Sequence, residues 1–127
     1  MRPIAALTAV VLIGLAVAAT SMAGGSQRIS ATPQTVKRTD VQTVRGRGWP
    51  VIEFCSRTVR VFVRSAQNSA PIAQRHIRDT GRFTFRWIPK NKNIGRGTWT
   101  MVARMRCESG RDGSTFFVRA TKRITIN

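Results

Sequence analysis

Gly97-Thr98-Trp99-Thr100-Met101-Val102-Ala103-Arg104-Met105-Arg106-Cys107 is the stretch that decides the fold class. Successive side chains of a strand point to opposite faces, so an apolar set recurring every second residue marks a half-buried strand. Trp99, Met101, Ala103, Met105 and Cys107 make up one face, and Thr98, Thr100, Val102, Arg104 and Arg106 the other. A strand with an inward cysteine is expected. Residues 82–87 repeat the pattern, with Phe83, Phe85 and Trp87 opposed by Arg82, Thr84 and Arg86. Pro89 ends that run, and Asp79-Thr80-Gly81 supplies turn chemistry before it. Residues 59–64 set Val59, Val61 and Val63 against Arg60, Phe62 and Arg64.

Outward from these three runs, residues 114–126 read as a long final strand. Phe116, Val118, Ala120, Ile124 and Ile126 point inward, with an expected bulge where Lys122 interrupts them. Residues 28–31 and 41–49 read as early strands, and the glycines of Gly46-Arg47-Gly48 suit a bend or a close backbone approach. Only residues 66–77 offer a helix, and Pro71 argues against it. The chain therefore reads as all-β, with strands spaced as in a sandwich or small barrel.

At the N-terminus, Arg2, an apolar run from Ile4 to Ala19 and the small residues closing on Ser21-Met22-Ala23 have the layout of a secretory signal peptide over residues 1–23. Such a run is too short, and too near the start, to favour a permanent membrane span. Residues 24–127 then form one exported domain, secreted or associated with the cell envelope. In that compartment a cysteine pair reads first as a disulfide, Cys55 with Cys107, which would lock two facing sheets together.

Lys and Arg number 22 against five acids, for a formal charge of +17 over the whole chain. Removing Arg2 with the leader leaves +16. Such a domain attracts polyanions. The expected partner is an anionic cell-wall or surface polymer, with nucleic acid only opportunistic, because no helix-turn-helix, zinc-finger or RNP-like pattern is present. Catalysis lacks its ingredients: His76 is the sole imidazole, no serine sits in a nucleophile elbow, and the acids show no paired spacing. No metal site and no cofactor is expected, since the ligand types are scarce and Gly46-Arg47-Gly48 lacks a third glycine and a following helix.

In order, Gly46-Arg47-Gly48-Trp49-Pro50, Asp79-Thr80-Gly81-Arg82-Phe83, Pro89, Gly97-Thr98-Trp99 and Cys107 resemble the landmarks of secreted bacterial immunoglobulin-like domains of the IPT/TIG-related kind. Asp40 and Gln42 depart from the pattern, standing where glycine and an inward apolar residue are expected. The resemblance implies an immunoglobulin-like two-sheet sandwich used as a non-enzymatic adhesion, spacer or accessory module. It also implies that residues 59–64, 97–107 and 114–126 share one sheet. On that arrangement Arg60, Phe62, Arg64, Arg104, Arg106, Phe117 and Arg119, with Val102 among them, face outward as a polyanion-binding surface. Guanidiniums there would grip phosphate or carboxylate in a bidentate fashion. Arg45, Arg47, Arg82 and Arg86 would lie on the other sheet. The rival reading makes Phe62, Val102 and Phe117 the interface of a homo-oligomer.

Overall fold

A computed structural model describes residues 26–127; the signal-peptide reading of residues 1–23 lies outside them. The strands are β1 (Arg28–Thr32), β2 (Thr35–Val36), β3 (Gln42–Arg47), β4 (Cys55–Arg64), β5 (Ser69–His76), β6 (Phe83–Trp87), β7 (Gly97–Glu108) and β8 (Thr115–Ile126). A single 3-10 turn, Pro89–Lys92, joins β6 to β7. The described residues are all-β. No helix among the described residues is long and apolar enough to cross a membrane.

Two sheets result, a three-stranded one ordered β1-β3-β6 and a five-stranded one ordered β2-β8-β7-β4-β5. Their inward faces meet in one buried cluster that includes Ile29, Val44, Phe83, Phe85 and Trp87 from the first and Val59, Val61, Val63, Met101, Met105 and Ile124 from the second. The alternation in the sequence produces this directly, because every inward residue expected on β4, β6 and β7 is buried. β8 also lies against β1, and β5 against β6, so the sheets approach each other along both edges. At one seam Arg75 of β5 caps the Phe85 ring, its guanidinium 5.4 Å from the centroid.

Glycine is required at Gly81 and at Gly46 for different reasons. At Gly81 the backbone has φ +75°, and an added Cβ would stand 2.6 Å from the Trp49 carbonyl oxygen. Gly46 is crowded instead by the Phe83 ring, which lies 2.0 Å from where a Cβ would sit. The close approach expected of Gly46-Arg47-Gly48 is that of a core aromatic pressed on the opposite strand.

Several expectations are corrected. Cys55 and Cys107 are bonded, but they sit directly opposite each other on β4 and β7 and tie neighbouring strands of one sheet. The Glu108 N–H donates to the Phe54 carbonyl oxygen, which makes the cysteines a non-hydrogen-bonded pair, the position where facing residues come closest. Residues 66–77, the one helix candidate, contain edge strand β5 instead. Its ladder with β4 skips Ile72, whose side chain turns into the core, and Pro71 takes a site on a strand that is paired on one side only. No bulge occurs at Lys122, since β7 and β8 pair without interruption from Gly97 with Ile126 to Glu108 with Thr115. Phe116, expected inward, is 46% exposed.

Candidate functional site

The outward face of the five-stranded sheet is built by the register of β4, β7 and β8. Arg60 faces Arg104, and Arg104 faces Arg119, so three guanidinium stems stand in one row across three strands. The next row is Phe62, Val102 and Thr121, followed by Arg64, Thr100 and Arg123. On the other side Arg106 pairs with Phe117. All seven residues expected to bind a polyanion lie on this one face.

Arg104 is the centre of the arrangement. Its guanidinium lies 5.6 Å from the Phe62 ring centroid and 4.8 Å from that of Phe117, with one aromatic diagonal to it on each neighbouring strand. The two outward phenylalanines thus act as supports for a cation, each contact contributing about 0.5–1 kcal/mol at an exposed site. A stacked guanidinium keeps its N–H edges free for an oxyanion while its faces are engaged. Arg60, Arg64, Arg106 and Arg119 are exposed around it. A depression lined by Arg60, Arg104, Arg106, Gln74 and Phe117 opens on one side of Arg104, and another lined by Phe62, Pro71 and Gln74 on the other.

Val102 is the exception among the residues named. It points outward but is 3% exposed, covered by the side chains around it, and so offers no contact surface. Two contributors were missed by sequence reasoning. Arg123 extends the Arg64 row, and Gln74 extends the Arg60 row onto β5. The period of β8 already put Arg123 on the same side as Arg119; nothing in the sequence aligned Gln74, because β5 was not read as a strand.

Acidic groups stay clear of the central row. Glu108 is the acid at the far end of β7, two residues beyond Arg106. Among the described residues the one ion pair joins Arg57 to Asp79 at 2.6 Å. The hydrogen bond and charge of Arg57 hold the Asp79 carboxyl below its ordinary range. Asp112 is likewise lowered, by hydrogen bonds from Ser114 at the β7–β8 turn. No three His, Cys, Asp or Glu side chains among the described residues are grouped to hold a metal ion. The formed disulfide points to an oxidising, non-cytoplasmic location. No family model matches the chain, and no curated protein is similar enough to match it.

Proposed function

We propose that this chain is an exported, non-enzymatic immunoglobulin-like module of the IPT/TIG-related kind that binds extracellular polyanions through the outer face of its five-stranded sheet. The observation that carries the reading is the row Arg60, Arg104 and Arg119 with Arg104 held between Phe62 and Phe117. Three like charges in register repel one another, and an arrangement that costs stability is accounted for when an anion neutralises it. The sandwich assignment is supported by two sheets on one core and by the Gly46 and Gly81 landmarks, while the disulfide within one sheet is this chain's own departure. Export is supported by the disulfide together with the layout of the leader.

Homo-oligomerisation through the same face is the weaker reading. A two-fold contact there would press one arginine row against its copy, and Val102 contributes no exposed apolar area. Retention on immobilised heparin tests the proposal. Arg60→Glu, Arg104→Glu and Arg119→Glu together are expected to lower the eluting salt well below that of a charge-matched triple, Lys37→Glu, Lys90→Glu and Arg96→Glu. Equal elution of the two triples would show that charge alone, and not this face, does the binding.

A further inference from the structure

The three-stranded sheet carries its own arginine row on its outward face. Arg28 faces Arg47, and Arg82 immediately precedes Phe83, the partner of Gly46, which puts it near Arg47 just ahead of the third strand. Together with Arg45 and Arg78 these residues line one depression of about 600 Å³. The two rows are not on isolated faces. β1 lies against β8, and at that seam the Gln27 side-chain amide donates to the Arg119 carbonyl oxygen at 2.8 Å. Gln27 is the neighbour of Arg28, so one row ends where the other begins.

We infer that Arg82, Arg47, Arg28, Arg119, Arg104 and Arg60 form one continuous belt that takes a single flexible linear phosphate polymer wrapped around the domain. The first half of the belt stands on this geometry alone; the second half rests on the proposed function above. With strands about 4.8 Å apart, the belt spans on the order of 30 Å once the seam is included. None of the six guanidiniums has a carboxylate partner, since Arg57 and Asp79 make the one ion pair among the described residues. The path is convex, running over one sheet, across a seam and onto the other. A flexible chain follows it, whereas duplex DNA, stiff over about 150 base pairs, reaches only one row at a time.

The test compares tripolyphosphate, no longer than one row, with long-chain polyphosphate on the mature protein. Six contacts on a flexible strand predict a slope of log affinity against log salt of about −4, and three contacts about −2. Arg28→Gln, Arg47→Gln and Arg82→Gln as one triple, and Arg60→Gln, Arg104→Gln and Arg119→Gln as another, should each halve the slope for the long chain and weaken it about tenfold or more. Each should weaken tripolyphosphate only about twofold, because the other row still takes it. A third triple, Lys37→Gln, Lys90→Gln and Arg96→Gln, should leave the long-chain slope unchanged, and an equal fall there would overturn the belt. Thermal melts of each variant separate lost binding from lost folding. If only the Arg60 triple lowers the slope, the belt is wrong and the sheet-face reading stands. If only the Arg28 triple does, both are wrong. If the triples weaken the long chain no more than the short one, the rows are two independent sites and the belt is again wrong.

Discussion

Gln42 shows how a single residue that breaks the pattern is absorbed by the fold. It is fully buried at an inward position of β3, where the alternation calls for an apolar side chain. Its amide Nε2 donates to the Pro33 carbonyl oxygen at 2.8 Å, and its Oε1 accepts from the Trp87 indole N–H at 2.8 Å. The bond from the Trp87 indole is buried, so that N–H has no water to turn to, while the bond to the Pro33 carbonyl lies at the rim of the core. Replacement by Leu keeps the volume and orphans the buried Trp87 donor, so Gln42→Leu is expected to cost about 1–3 kcal/mol, read from urea unfolding. A loss under about 0.5 kcal/mol would mean that the indole N–H finds another partner. The residue was visible in the sequence as an anomaly. Its partners were not, because Pro33 and Trp87 become neighbours of Gln42 only when β3 takes its place in the sheet.

At the scale of elements, legibility followed how strictly a segment alternates. β4, β6 and β7 were readable because burial on one face is the dominant force on each. β5 was not, since Ala70-Pro71-Ile72-Ala73 has no period and a skipped residue reverses its inward face. The cysteines were readable as a pair but not as strand neighbours, because sequence separation carries no register. Their bridge still closes a loop of 52 residues, so Cys55→Ala with Cys107→Ala should lower stability by roughly 4 kcal/mol, measured by denaturant unfolding of both forms. Arg57 lies in the irregular stretch of β4 between Cys55 and Val59, where its φ is +63°. From there it accepts from the Ile77 N–H and pairs with Asp79, joining β4 to the β5–β6 turn. The Asp79 carboxyl titrates lower in the folded chain than in the unfolded one. Its stabilisation is therefore full above the unfolded carboxylate value, near pH 4, and disappears as pH falls through the folded value. Asp79→Asn should flatten that part of the acid limb by lowering the melting temperature slightly on the neutral side and leaving it unchanged at the acid end, a small effect because the pair is exposed. An acid limb identical to the parent's would show that the pair is not formed in solution.

Across the whole molecule, charge imposes two salt effects of opposite sign. Arginines on both outward faces and very few acids make the free domain repel itself, and added salt screens that repulsion. The free protein should therefore melt higher as NaCl rises from about 10 to 150 mM, over which the screening length shortens from roughly 30 to 8 Å. Each kcal/mol recovered raises the melting temperature of a domain this size by about 4–8 °C. A bound polyanion adds stability through mass action, and that increment falls with salt because each neutralised phosphate releases counterions. Calorimetric melts with and without long-chain polyphosphate should start far apart at low salt and converge as salt rises, the free curve climbing while the bound curve falls. A free melting temperature that drops with salt would mean that attractive pairs outweigh repulsion. With one ion pair among the described residues, the charge distribution leaves little to drive such attraction. The low-salt gap, moreover, should narrow when either arginine row is neutralised: the variant's free form starts higher for want of repulsion, and its bound form gains less.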